Sequence, residues 1–278
     1  MGKKKSCVAL MTDWGIDDGA VGAVHAVIIG INPEANIVDM SHNVNSWDIK
    51  EAAFLLMAHY KFFPKGTIFV AVIDPGVGTQ RKAVLVETAF YYFVGPDNGV
   101  LSWALRKETI KRVINLTNDR FFHKPVSAAF QGRDVFCPVA AWLSTGVPIT
   151  TFGEEIKPRH VASFISKPDI VWTPYPLKKE KNQLIGEVLF VDKFGNLITS
   201  IEEKEFEAFR SETQYQIKVG ATVIEKLSHT YNDGKETGEA LAVFGGDFGD
   251  LLDIAVYESS AAEKLGVKVG DKIIVERL

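Results

Sequence analysis

The sequence predicts an α/β protein: a mostly parallel α/β sandwich domain followed by an antiparallel, barrel-like β domain. Three observations carry this expectation. Over residues 1–165, short β-rich runs alternate with helical patterns, as in βαβ units. Over 166–182, Pro168, Pro174 and Pro176 precede Lys178-Lys179-Glu180-Lys181, which reads as an exposed linker. Over 183–278, strand patterns dominate, broken by one charged helix.

In the first half, Cys7–Met11 reads as a strand and Asp18–Ile31 as a helix ended by Asn32-Pro33. Asn36–Met40 is a strand. Trp47–Phe63 is an amphipathic helix with Ser46 as the expected N-cap and Pro64 as its stop. Thr67–Ile73 is almost continuously hydrophobic and β-branched, as a central strand buried on both faces requires. Strands at Lys82–Glu87, Tyr91–Val94 and Arg112–Leu116 and helices at Gly99–Arg106 and Gly132–Leu143 complete this half. In the second half the strands are Leu184–Val191, Leu197–Ile201, Tyr215–Val219, Thr222–Leu227, Ala240–Phe244, Leu251–Tyr257 and Lys272–Glu276. The charged helix is Glu202–Arg210, and Ser260–Leu265 reads as a helical turn.

The 278 residues are 46% hydrophobic, enough for sizeable cores, and Lys+Arg 31 against Asp+Glu 35 gives a net charge of −4. That balance offers no basic surface for a phosphate backbone, so no nucleic-acid partner is expected. No apolar run reaches membrane-span length. Lys3–Lys5 imitates a signal peptide's basic region, but Asp13 cuts the apolar stretch short, so a cytoplasmic protein is expected. Cys7 and Cys137 lack a CxxC pattern and read as buried core thiols. The six histidines (His25, His42, His59, His123, His160, His229) form no close pair with metal-ligand spacing, so no zinc site is expected. No G-x-S-x-G elbow marks a serine nucleophile.

Five stretches hold residues able to do chemistry. Asp13 sits where the first strand ends, in the position from which open α/β sheets touch ligands; capping of the next helix by Asp13, Asp17 or Asp18 is the plainer alternative. In Asp74-Pro75-Gly76-Val77-Gly78-Thr79-Gln80-Arg81 a buried strand ends in a carboxylate, and a Pro/Gly turn can return Arg81 to Asp74. The pair could serve a ligand or simply brace the turn. The stretch is neither a dinucleotide fingerprint nor a P-loop. Pro96-Asp97-Asn98-Gly99 reads as a β-to-α turn, with Asn98 a candidate ligand contact. Phe130-Gln131-Gly132-Arg133-Asp134 opens a helix, and Gly132 would let a ligand approach its N-terminus. Asp192-Lys193-Phe194-Gly195-Asn196 joins two strands, as a hairpin turn or as a ligand-binding one.

Taken in order along the chain, these motifs, with Thr12-Asp13-Trp14-Gly15, Trp47-Asp48 and Phe63-Pro64-Lys65-Gly66-Thr67, closely resemble the SAM hydroxide adenosyltransferase family, relatives of fluorinase and chlorinase. The resemblance extends to Leu252-Asp253-Ile254-Ala255-Val256 and implies a homotrimer with the active site between neighbouring subunits. It implies SAM as substrate, split by water into adenosine and L-methionine, with no separate cofactor. It would set Asp13 on the ribose hydroxyls and Trp47 and Phe130 along the sugar. Asp192 and Asn196 would grip the methionine amino group, with Phe194 on the adenine side and Asp253 and the Val256 backbone near the base or the amino-acid end.

The family's water-handling set is Asp, Arg and His; Asp74 and Arg81 match it, whereas Gln131 stands where the histidine belongs. A glutamine holds water through its amide and takes up no proton near neutral pH. The segment Gly245–Asp250 also lacks the serine usual near the amino-acid pocket. A slow or pH-shifted hydrolase is therefore expected. A SAM- or adenosine-binding protein with little catalysis is the first alternative. A halogenase is the second, disfavoured because a carboxylate beside the reacting carbon repels halide.

Overall fold

The computed structural model describes residues 6–157, 177–211 and 213–278. The chain divides into two compact units, Met1–Trp172 and Thr173–Leu278.

The first unit is built on a seven-stranded sheet. Its strands are β1 (Cys7–Thr12), β2 (Asn36–Ser41), β3 (Ile68–Val72), β4 (Ala83–Thr88), β5 (Tyr92–Pro96), β6 (Ile110–Leu116) and β7 (Gly153–Glu155), in the order β2-β1-β3-β5-β4-β6-β7. The half β2-β1-β3-β5 is parallel, and the pairings from β5 through β4 and β6 to β7 are antiparallel. Because side chains alternate along a strand, β1 and β3 feed two cores. Val8, Leu10, Ile68, Val70 and Val72 face one layer, with Val24 and Ile28 of α1 (Ala20–Ile31). Ala9, Met11, Phe69, Ala71 and Ile73 face the other, with Ala52 and Leu56 of α2 (Ile49–His59) and Leu101 and Ala104 at α3 (Ser102–Arg106).

This topology fixes where a ligand can go. From β1 the chain crosses through α1 to β2, then returns through α2 to β3 on the other side of β1. The two connections lie on opposite faces, so a crevice opens past the carboxyl ends of β1 and β3, whose ends are in register at Thr12 and Val72. Asp13 and Asp74 follow those two ends.

Some expected boundaries move. The N-cap of α2 is Asp48, whose carboxylate accepts the Glu51 N–H at 2.9 Å, rather than Ser46. The helix expected over Gly132–Leu143 begins as a π-turn, Gly132–Phe136, before α4 (Cys137–Ser144). Pro138 explains part of this: it has no N–H to give the Asp134 carbonyl, which accepts from the His123 N–H at 2.9 Å instead. Of the two cysteines, Cys137 is buried, with its thiol pushed up to about 12 by burial, whereas Cys7 is half-buried.

The second unit is an eight-stranded antiparallel sheet. It comprises β8 (Lys178–Lys179), β9 (Gln183–Val191), β10 (Leu197–Glu202), β11 (Tyr215–Val219), β12 (Thr222–Ile224), β13 (Ala240–Val243), β14 (Leu251–Val256) and β15 (Lys272–Arg277). The order β12-β11-β15-β9-β10-β14-β13 curls until Leu227, just past β12, bridges Ala242 on β13, nearly closing a barrel. Leu227, expected within the strand from Thr222, thus belongs to this closure. Leu184, Val188, Leu197, Ile201, Ile254 and Val275 fill the interior with Phe206 of α5 (Glu203–Arg210) and Ala261 of α6 (Ala261–Leu265). Residues 166–176 of the expected linker lie outside the described residues, and Lys178–Lys179 are not linker but an edge strand on β9.

Candidate active site

At the switch point of the first unit, a cavity of about 210 Å³ is walled by Asp13, Trp47, Asp74, Phe130, Gln131 and Gly132, with Trp14, Val72 and Val77 among its other lining residues. The Asp74-to-Arg81 turn folds as its proline and two glycines suggest: Val77 N–H donates to the Asp74 carbonyl at 3.2 Å and Thr79 N–H to that of Gly76 at 3.1 Å. Arg81 thereby returns beneath the cavity. Its Nε donates to both Asp74 carboxylate oxygens at 3.0 Å, and its Nη2 donates to Asp74 Oδ2 as well. The side chains of Asp74 and Arg81 are only 5% and 11% exposed, so the pair is shielded from water and strengthened by it.

The same Nη2 donates to Gln131 Oε1 at 2.6 Å. With its carbonyl held by Arg81, Gln131 has its amide N–H groups to offer a ligand. Asp13 does not cap α1; Asp18 accepts the Ala20 N–H at 2.9 Å at that helix start. Asp13 Oδ2 instead accepts the Trp47 N–H at 2.8 Å and so holds Trp47 in the left-handed region, φ 66°. A non-glycine residue there costs about 1 kcal/mol, which the charged hydrogen bond offsets. The Trp47 side chain is not core: it is 72% exposed at the cavity rim.

Trp14 and Phe130 meet edge to face at 5.1 Å, and the Arg133 guanidinium lies 4.9 Å over the Phe130 ring. Arg133 also pairs with Asp134, which accepts the Ser127 N–H at 2.8 Å. Burial opposes charge on Asp134, but these partners outweigh it and hold the carboxyl below the usual range. Glycine at 132 is a packing requirement, since a Cβ there would stand 2.4 Å from the Trp14 ring. Asn98 is placed behind the cavity rather than on its wall. Its Nδ2 donates to the Ile73 carbonyl at 2.8 Å and its Oδ1 accepts the Val100 N–H at 3.1 Å, bracing the strand end that carries Asp74.

The second unit has its own cavity, about 600 Å³, lined by Asp192, Phe194, Asn196, Asp253 and Val256 together with Tyr231 and Asp247. The Asp192–Asn196 turn is both a hairpin and a cavity wall. Asp192 Oδ1 accepts the Phe194 and Asn196 N–H groups at 2.9 and 2.8 Å, and Asn196 Nδ2 donates to Asp192 Oδ2 at 2.8 Å. Gly195 takes φ 84°, and a Cβ there would meet the Ser260 side chain at 2.2 Å. The Phe194 ring is left 73% exposed.

Asp253 is 1% exposed on β14; its Oδ2 accepts the Tyr231 hydroxyl at 2.7 Å and its Oδ1 is buried with no hydrogen-bond partner among the described residues. Burial, against the Tyr231 hydrogen bond and with the help of Asp192 and Asp247, raises its pKa to about 6. The unfolded carboxyl ionises near 3.8, so the folded chain holds one extra proton between these values and loses stability as pH rises from about 4 through about 6. Asp253→Asn removes that loss and stabilises the chain at pH 7.5 by up to about 3 kcal/mol. Chemical denaturation of both proteins at several pH values checks this. A wild-type stability that does not fall across this range contradicts it.

Residues 8–153 match the family profile described as SAM hydroxide adenosyltransferase N-terminal domain, and residues 186–274 match its C-terminal domain. The chain belongs to the SAM hydroxide adenosyltransferase family. It is 33% identical over 274 residues to a protein of Salinispora tropica named (R)-S-adenosyl-L-methionine hydrolase, covering 96% of this chain and 97% of that one. A protein of Nocardia brasiliensis named fluorinase is 23% identical over 98% of this chain and 97% of its own length. A crystal structure of an uncharacterized conserved protein from Thermotoga maritima superposes with a TM-score of 0.86 at 33% identity, covering 97% of this chain and all of that one.

For a SAM hydroxide adenosyltransferase the sequence therefore marks two groups of residues; all of the second line one cavity, and all of the first but Arg81 and Asn98 line the other. What sequence reasoning missed lies between motifs. Trp14, next to the singled-out Asp13, supplies the platform for Phe130. Tyr231 comes from a short 3-10 turn, Tyr231–Gly234, that carries no local signature of a ligand contact. Asp247 falls in the segment that departs from the family pattern.

Proposed function

We propose that this chain hydrolyses S-adenosyl-L-methionine to adenosine and L-methionine. The carrying observation is the shielded Asp74–Arg81 pair, with Gln131, at the carboxyl end of β3. Water attacks the 5′ carbon in line; the C5′–O bond forms as the C5′–S bond breaks. The electron pair goes to sulfur, so a sulfonium leaves as a neutral thioether and needs no acid. What must be supplied is a held water, a dry site and a route for its proton.

Arg81 stabilises hydroxide character on the attacking oxygen, Asp74 orients the guanidinium, the Gln131 amide holds the water, and the proton it loses as the C5′–O bond forms passes to solvent. Asp13 holds the ribose hydroxyls, and Trp47 and Phe130 line the sugar. Asp192 and Asn196 take the amino group, Phe194 packs on the adenine side, and Asp253 and the Val256 backbone lie at the base or amino-acid end. The concentration of carboxylates around the second cavity suits a cationic ligand. SAM is the substrate, and the reading includes no cofactor.

We further infer a homotrimer with substrate held between neighbouring subunits. Supporting this, the first cavity is smaller than the roughly 300 Å³ at which ligand pockets begin, and Trp47 and Phe194 are large exposed aromatics. The reading places the enzyme in the cytoplasm with no nucleic-acid or membrane partner; among the described residues no helix is long and apolar enough to cross a membrane.

The test is to incubate the purified protein with each sulfonium epimer of SAM, since the Salinispora tropica relative is named for the (R) form. Equimolar adenosine and methionine from the (R) epimer are expected. Tight binding without release of either product over hours would replace this reading with a binding protein, and 5′-chloro-5′-deoxyadenosine formed in chloride would replace it with a halogenase.

A further inference from the structure

We propose that His25, Asp39 and His42 form a binding site for one divalent transition-metal ion of the zinc class. No part of the proposed hydrolysis uses these residues. His25 lies on α1, Asp39 on β2 and His42 just beyond β2, so two neighbouring elements bring together histidines that are far apart in sequence. The sequence shows no close histidine pair with metal-ligand spacing, so this proposal departs from the expectation of no zinc site. His25 Nε2 and His42 Nε2 each lie 2.9 Å from Asp39 Oδ1, and the candidate ligand atoms are all within 4.8 Å of one another.

The decisive group is His42. It is 5% exposed, and among the described residues its Nε2 has no aligned hydrogen-bond partner despite the close carboxylate. Its other nitrogen, Nδ1, is 2.8 Å from Thr12 Oγ1, which fixes the ring. Thr12 Oγ1 also accepts the Trp14 N–H at 3.4 Å. Held through Nδ1, His42 aims its buried Nε2 at the carboxylate oxygen that His25 Nε2 also faces, so three ligand atoms converge on one point. A metal-bound histidine oriented through its second nitrogen has this arrangement.

The donor set fits. Two imidazoles and one carboxylate suit zinc and its first-row neighbours, with water completing the shell. Tetrahedral bonds of about 2.0–2.1 Å set ligand atoms about 3.3 Å apart, so the two 2.9 Å approaches to Asp39 open slightly while the histidine nitrogens, within 4.8 Å, draw together. His25 and Asp39, with side chains 30% and 40% exposed, have room to do so and admit the ion from solvent.

The full chain, stripped with a chelator, is titrated with zinc chloride by calorimetry at pH 7.5. One zinc ion per chain is expected. His25→Ala, a change at a partly exposed position, should weaken binding at least about tenfold, while His229→Ala, at an exposed histidine of the other unit, should leave it unchanged. Circular dichroism verifies that both variants are folded. Absence of stoichiometric binding to the wild type, or equal affinity in His25→Ala, would overturn the site and leave a proton-sharing triad.

Discussion

Asp74→Ala lowers kcat for SAM hydrolysis by about 10²–10⁴ while changing SAM affinity by less than tenfold. The expected size follows from what Asp74 touches. Arg81 gives it three hydrogen bonds, and the guanidinium's remaining Nη2 interaction reaches Gln131, so one carboxylate sets the position of both partners. Without it, Arg81 is left with its charge largely out of water, and the fold loses about 3 kcal/mol. Kinetics are therefore measured well below the variant's melting temperature, with Asp74→Asn as a companion that keeps the side chain's size. A kcat within about threefold of wild type in the folded variants would remove Asp74 from the reaction.

Gln131→His raises kcat by about tenfold or more and gives the pH–rate profile a rising limb near the histidine range of about 6.5. In the native chain the Gln131 carbonyl accepts from Arg81, and its amide can position water but cannot take its proton. A neutral imidazole has one bare nitrogen, and turned toward the water rather than toward Arg81 it can take the water proton. Steady-state assays across pH with SAM binding measured in parallel decide it. No gain, with affinity intact, would show that position 131 does not handle water.

The sequence made the first unit's framework and its strand-end acids readable because both rest on short-range rules. Alternating side-chain directions along the largely hydrophobic Cys7–Thr12 and Ile68–Val72 sort residues between two cores, and a carboxylate after each strand marks the crevice. The return of Arg81 to Asp74 was readable because Pro75, Gly76 and Gly78 shape the intervening turn. Ser46 and Asp48 are both good N-caps, and the choice between them rests on long-range contacts such as the Asp13–Trp47 hydrogen bond that set the register of that loop. Asn98 carries turn chemistry and ligand chemistry in the same side chain, and the fold uses both its amide atoms on the backbone. Tyr231 meets Asp253 only through barrel curvature, and His25 meets His42 only through the packing of α1 on β2; neither leaves a spacing to read.

In the proposed reaction a water molecule held by the Arg81–Asp74 couple becomes the 5′ hydroxyl of adenosine. Turnover of SAM in water enriched in heavy oxygen, followed by mass spectrometry of the nucleoside, tests it directly. Label in the 5′ hydroxyl of adenosine, formed together with methionine and strongly suppressed in Asp74→Ala, is the predicted result. Adenosine without label, or labelled adenosine formed equally fast by Asp74→Ala, would contradict it.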